Sequence, residues 1–249
     1  MARASLAIQS ALVNHWDSLR DHVRRVNSGI QFLPNDGYEI FQVDHKNSTN
    51  EIATFKVGPV VINLPERGDH RKSNLFVVAD CTLHFSIPQF SESKRLVSSG
   101  FATHVGYFRR GSHELQHVYG VHYDFDVERP AHPVFHAQMK SYAEPFADHV
   151  KEQFGLALPL DDRVGGMLQN VRVPVAQLDF FSLVVQLAAD HLIWKDSGDD
   201  ERRAFNDILQ LDGRLVGASA SAPWLCAGTA APCHRAHHWY ARLQTSTPK

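Results

Sequence analysis

Short β-type runs separated by turn residues constrain this fold more than any other feature. Between residues 38 and 140, runs rich in β-branched and aromatic residues alternate with clusters of Asn, Asp, Gly and Pro. The pattern predicts a long strand over 115–127 and, after the turn Glu128–Ala131, a short strand over 134–140. Strands joined by such short turns pair antiparallel. The earlier runs are Tyr38–Val43, Glu51–Val57, Val60–Leu64, Leu75–Ala79 and Phe101–Phe108.

Helical patterns lie at the two ends of this region. Apolar residues recur every three or four positions over residues 5–28, which predicts an amphipathic helix. Residues 175–195 predict a strongly apolar helix with Pro174 in its first turn, and residues 205–211 predict a shorter one. The order predicts an α+β fold: an N-terminal helix, a mainly antiparallel β-sheet, and C-terminal helices packed on one sheet face.

Composition excludes several classes of protein. The 249 residues carry a net charge of −2, so a general nucleic-acid binder with a strong basic excess is not indicated. No apolar run reaches the roughly 20 residues of a membrane span, and the N-terminal segment lacks the continuous apolar region of a secretory signal. The sequence therefore predicts a cytoplasmic protein with no membrane contact. One domain over 1–249 is expected, with a loop-rich tail over 217–249.

Histidine and aspartate are concentrated in the predicted strand 115–127. Seven of the sixteen histidines fall within His104–His149. Side chains alternate between the two faces of a strand, so His122, Asp124 and Asp126 share one face while apolar residues occupy the other. The sequence predicts a polar stripe on this strand.

The next predicted strand adds matching side chains. His136 and Gln138 share one of its faces, opposite an apolar face. If the two strands pair with their apolar sides toward one core, these residues meet the polar stripe at roughly 5 Å across the pair. His132, in the connecting loop, is placed to approach from the edge. We therefore expect one shared site.

Imidazoles and carboxylates together suit a divalent ion or acid–base chemistry. Imidazole favours Zn and carboxylates favour Mg or Mn, and open coordination positions would activate water for hydrolysis. Without a metal, a histidine beside an aspartate can act as a general base. The alternative is an exposed polar sheet face with no chemistry. The candidate metal ligands are His122, Asp124, His132 and His136, and the candidate catalytic residues are His122, Asp124, Asp126 and His136.

Three polar residues mark the predicted helix 175–195. Asp179, Gln186 and Asp190 are spaced seven and four apart, so they form one line along an otherwise apolar helix. Either this line faces solvent, or Asp179 and Asp190, together with Gln138 on the sheet, orient the ligand side chains of the site.

Other motifs give weaker indications. Cys226, Cys233 and His237 could form a zinc site, but their spacing matches no compact zinc motif. The sequence His84-Phe-Ser86 is a single H-x-S, where a two-histidine phosphoesterase needs two copies. The chain contains no P-loop and no G-x-G-x-x-G, G-x-S-x-G or H-E-x-x-H sequence. The common nucleotide-binding and serine-hydrolase classes are therefore not indicated.

The segment 121–138 contains YDFD followed by HPVFH. It resembles a motif of uncharacterised bacterial families in which a Tyr/Phe-Asp-Tyr/Phe-Asp strand precedes His-Pro-x-x-His. Some of these families are domains of unknown function found near phage-defence genes, and others look like small toxins of toxin–antitoxin pairs. The resemblance implies a defence or toxin setting, and its matching residues are Asp124, Asp126, His132 and His136.

Two functions follow as expectations. The first is a bacterial hydrolase or nuclease of the defence or toxin type, acting on a nucleotide or nucleic acid with Zn, Mn or Mg. The second is a non-catalytic binding or regulatory subunit of a complex, with a protein partner encoded nearby. The exposed acidic segment 196–201 is compatible with the second.

Overall fold

In the part of the chain that the structure describes, one antiparallel sheet carries helices on both of its faces. The computed structural model describes residues 2–65, 75–96, 98–125, 135–139, 142–156, 158, 172–174, 179–194 and 196–212. The predicted α+β fold is confirmed: one helix precedes the sheet, and the C-terminal helices pack on one of its faces. The predicted tail over 217–249 lies outside the described residues.

The described strands form one eight-stranded sheet in the order β1-β3-β4-β5-β6-β7-β8, with β2 also paired to β3. Its centre is a meander in which each strand pairs antiparallel with the next. The strands are β1 (Gln31–Leu33), β2 (Phe41–Val43), β3 (Ile52–Asn63), β4 (Leu75–Ser86), β5 (Ser98–Arg110), β6 (Leu115–Phe125), β7 (Phe135–Met139) and β8 (Arg172–Pro174).

Several helix boundaries differ from the predictions. The predicted strand over Tyr38–Val43 begins as a helical turn, because Asp36 caps it by accepting from the Tyr38 backbone N–H. Pro174 does not begin a helix; it ends β8. The apolar helix expected from residue 175 begins at Phe180. The helices are α1 (Ala2–Val26), α2 (Gly37–Ile40), α3 (Ile87–Ser93), α4 (Ala143–Phe154), α5 (Phe180–His191) and α6 (Asp199–Asp212).

The main core lies on one face of the sheet, here called the helical face. Alternate residues of β4, such as Val77, Ala79 and Cys81, point into this core. Helices α1, α5 and α6 cover it, with Trp16 of α1 fully buried. This side of the sheet has the strict alternation that a half-buried strand requires.

The other face, here called the site face, carries a smaller core over only part of its area. Phe76 and Val78 of β4 and Phe108 of β5 pack against Phe146 of α4. Gly106 allows this approach, because a Cβ there would lie 2.7 Å from the Phe108 ring and 3.1 Å from Phe146. Beyond this cluster the site face is polar.

No helix in the described part of the chain has the length and apolar character that spanning a membrane requires.

Candidate functional site

The pairing of β6 with β7 brings the predicted site residues together. Asp124 lies opposite His136 and His122 lies opposite Gln138, in antiparallel register. Tyr123 and Ala137, the intervening residues, pack against the main core. Since alternate residues point to opposite faces, His122, Asp124 and His136 emerge together on the site face.

Three side chains form a compact cluster, called the triad below: His122, Asp124 and His136. His122 Nε2 lies 3.0 Å from Asp124 Oδ2, and His136 Nδ1 lies 2.7 Å from Asp124 Oδ1. One ligand atom from each residue lies within 4.8 Å of the others. His136 is only 1% exposed, whereas His122 and Asp124 are 19% and 23% exposed. The triad therefore has a buried end and an end that reaches the surface.

The carboxylate of Asp124 is stabilised in its charged form. Burial alone would raise its pKa, but the hydrogen bond from His122 and the His136 imidazole at 2.7 Å, together with their charges, outweigh burial and hold the pKa well below the usual range. Asp124 is thus an anion across the ordinary pH range. An anionic oxygen held between two imidazoles is the charge arrangement that a cation requires.

We expect this ionisation to appear in the acid stability of the protein. A folded-state pKa below the unfolded value means that the unfolded chain binds more protons, so the stabilisation is full above about pH 5 and declines as pH falls. Asp124→Asn should flatten the dependence of the free energy of unfolding on pH between about 2 and 5. Urea denaturation at a series of pH values measures this. The control is Asp200→Asn, because Asp200 is 96% exposed. If the free energy of unfolding depends on pH equally steeply in the wild-type protein and in Asp124→Asn, the lowered pKa of Asp124 is contradicted.

A second histidine–carboxylate pair lies beside the triad. His104 Nδ1 donates to Asp80 Oδ1 at 2.6 Å, and the His104 ring stacks on His122 with centroids 4.9 Å apart and planes 25° apart. Asp80 and His104 are not among the site residues predicted from the sequence. Backbone register explains their position, because Asp80, His104 and His122 are partners across β4, β5 and β6. Only the strand order could have shown this row.

The start of α4 closes one side of this cluster. Tyr142 caps the helix, is 2% exposed, and packs on His104 with centroids 5.3 Å apart. Burial, and then the charges of Asp80 and Asp124, raise the pKa of the Tyr142 hydroxyl well above its usual range. Tyr142 therefore stays neutral, and its ring covers that of His104.

Other predicted residues are placed differently. Asp126 and His132 lie outside the described residues. Gln138 lies opposite His122 in the register, next to the triad. Gln186 is half-buried on α5, a helix of the helical face.

Asp179 and Asp190 do not orient the triad. Asp179 is the N-cap of α5, where its carboxylate accepts from the backbone N–H groups of Phe181 and Ser182. Burial, and then the charges of Tyr119 and Asp190, raise the pKa of Tyr123 to about 12. Because Tyr123 packs against the main core, this influence places Asp190 near the helical face. The predicted role for both residues is wrong, because α5 packs on the face of the sheet opposite the triad.

Asp179 is instead expected to matter for stability. Asp179→Ala should lower the free energy of unfolding by about 0.5–2 kcal/mol, because two backbone N–H groups lose their acceptor, whereas Asp179→Ser should retain most of the stability. Chemical denaturation compares the two variants. Equal losses for Ala and Ser would show that capping is not the role of this carboxylate.

The site thus combines two imidazoles and one carboxylate on adjacent strands with an Asp–His pair alongside. Two ligand atoms of a tetrahedral zinc lie about 3.3 Å apart. In the triad, one ligand atom from each residue lies within 4.8 Å of the others, so the widest separation would have to close towards that spacing around an ion. No family model, curated protein or solved structure gives a significant match to this chain.

Proposed function

We propose that the triad binds one divalent metal ion and that the protein is a metal-dependent hydrolase acting on the phosphate ester of a nucleotide or nucleic acid. The observation that carries this proposal is the convergence of three ligand atoms within 4.8 Å on two adjacent strands. Two imidazoles and one carboxylate favour zinc over magnesium. Three protein ligands also leave coordination positions open, as catalytic metal sites do.

The chain's own residues supply orientation and charge. Asp124 is ionised and, with the buried His136, supplies the fixed part of the site. His122 is held between Asp124 and the His104 ring. A bound divalent ion would supply a Lewis acid and a hydroxide at neutral pH. The Asp80–His104 pair lies where it can contact a substrate held at the open side of the triad.

The biological setting is part of this proposal. The resemblance of segment 121–138 to defence- and toxin-associated families supports a bacterial cytoplasmic enzyme.

Hydrolysis of simple phosphate esters tests the activity. Wild-type protein with Zn²⁺ or Mn²⁺ is expected to hydrolyse a phosphodiester or nucleotide in a panel, and the double variant Asp124→Ala/His136→Ala should lose this activity. Circular dichroism checks that the variant is folded. The matched control is His149→Ala, which removes an exposed histidine of α4. Equal activity of the double variant and the control would overturn the proposal.

A non-catalytic subunit is the second candidate, and one observation favours it. Each oxygen of Asp124 already contacts an imidazole, so the triad also satisfies its own charges without an ion. In that case purified protein would contain no stoichiometric metal and would co-purify with a protein encoded nearby. Elemental analysis of the purified chain separates the two candidates.

A further inference from the structure

A further histidine, His84, lies on the site face at a distance from the triad. It lies on β4 in the same alternation as Asp80, and its ring packs over Gly100 of β5, where a Cβ would come within 3.3 Å of its Cδ2. The register relates His84 to the triad, because Ala102, two residues after Gly100 on β5, pairs with Asp124 on β6. Two strand spacings and two residues of rise place the Cα atoms of His84 and Asp124 about 12 Å apart.

The hydrogen bonds around His84 fix which ring nitrogen carries the proton. Thr54 Oγ1 lies 3.1 Å from His84 Nδ1, and the same hydroxyl donates its single hydrogen to the Asn47 carbonyl at 2.9 Å. The hydroxyl can therefore only accept from His84, so Nδ1 carries the hydrogen. Burial, opposed by the charge of Asp44, lowers the pKa of His84. At neutral pH the ring is thus uncharged, with a lone pair on Nε2.

The other ring nitrogen of His84, Nε2, is available to a ligand. Nε2 of His84 has no hydrogen-bond partner among the described residues, and it is not among their fully buried polar atoms. The side chain is half-buried, and the alternation along β4 places it on the site face with Asp80. A ring with a fixed tautomer and an available lone pair is a ready hydrogen-bond acceptor.

We propose that His84 is a second binding contact on the site face and accepts a hydrogen bond from a base N–H of a nucleotide whose phosphate lies at the triad. This inference rests on the proposed function for its phosphate end. The separation of His84 from the triad is one that a single nucleotide can bridge. Neutral nucleobases present N–H donors on their pairing edges, and proteins read unpaired bases through such contacts.

Charge favours a free nucleotide over a nucleic-acid polymer. Among the side chains that the structure describes near the triad and His84, the site face carries the carboxylates of Asp80 and Asp124 and the ammonium of Lys56, which lies 3.6 Å from Asp44. The whole chain has a net charge of −2. A polyanion needs several phosphate-binding cations along its track. A mononucleotide needs only the metal.

Nucleosides test this contact without involving the metal, because they lack the phosphate. The full chain is titrated with adenosine, cytidine, guanosine and uridine, and side-chain ¹⁵N NMR follows the His84 ring. At least one nucleoside should shift the Nε2 resonance, and its form methylated at the donating nitrogen should not. His84→Leu should bind that nucleoside about tenfold more weakly. His84→Gln, which keeps an acceptor oxygen, should recover part of the affinity.

The controls separate binding from folding and from the proposed function. His113→Leu changes an exposed histidine in the turn between β5 and β6 and should leave the affinity unchanged. If no nucleoside engages His84, if the NMR spectrum shows hydrogen on Nε2, or if His84→Leu binds as wild type does, the inference is overturned. Absence of metal together with nucleoside binding at His84 would overturn the proposed function and leave this contact standing.

Discussion

Replacing Asp124 with alanine is expected to abolish zinc binding. Asp124 supplies the only carboxylate of the triad and contacts both imidazoles, at 3.0 and 2.7 Å. Removing residues that merely orient ligands already weakens metal affinity about 10- to 100-fold. Loss of a ligand that also carries the compensating negative charge should exceed this. Competition with a chromophoric chelator measures the dissociation constant, and elemental analysis measures the stoichiometry.

Two further variants make this result specific. Asp124→Asn keeps one oxygen and the shape of the side chain, so it should bind zinc more weakly than wild type and more tightly than Asp124→Ala. The exposed Asp200, replaced by Ala, should have no effect. If the wild-type protein and Asp124→Ala bind zinc with equal affinity, the triad is an ion-pair network and not a metal site.

The geometry of the triad could be predicted from sequence because it depends on one hairpin. Alternation placed His122 and Asp124 on one face of a strand, and the apolar pattern of the next strand placed His136 on the same side. A slip of one residue would expose the apolar face, so the register was strongly specified.

Asp80 and His104 could not be assigned in the same way. They belong to two other strands, and the contact between them depends on the order of the strands in the sheet. Single residues of this kind give no local signal, since an Asp or His in a strand is equally compatible with a solvated surface. The row Asp80–His104–His122 becomes visible only once β4, β5 and β6 are known to be neighbours.

For Asp179 the prediction was wrong because the helical spacing was applied to a residue that lies before the helix. Its separation from Gln186 and Asp190 fits one helix face, but Asp is also among the best N-cap residues. The N-cap marks the start of the helix, so Asp179 lies before the first turn of α5 and accepts hydrogen bonds from its backbone. The residue before a helix was thus interpreted as part of its surface.

Phe146→Ala is expected to lower both the stability of the protein and the metal affinity of the triad. Phe146 is 1% exposed and packs against Phe108 of the sheet and Tyr142 at the start of α4. Truncating a buried Phe costs about 3–5 kcal/mol. Tyr142 in turn packs on His104, which stacks on His122. Loosening α4 should therefore move the Tyr142 ring away from His104 and, through His104, make the position of His122 less fixed.

Trp16→Ala is the matched control, because it makes an equally severe cavity on the helical face. Trp16 is fully buried and packs against Phe32 and Phe180, remote from the triad. Its truncation should also cost about 3–5 kcal/mol. At temperatures where both variants are folded, however, only Phe146→Ala should weaken zinc binding. Urea denaturation with and without zinc measures both effects. If the two variants bind zinc equally, the packing of α4 contributes to stability alone, and the triad is positioned by the strands without support from the helix.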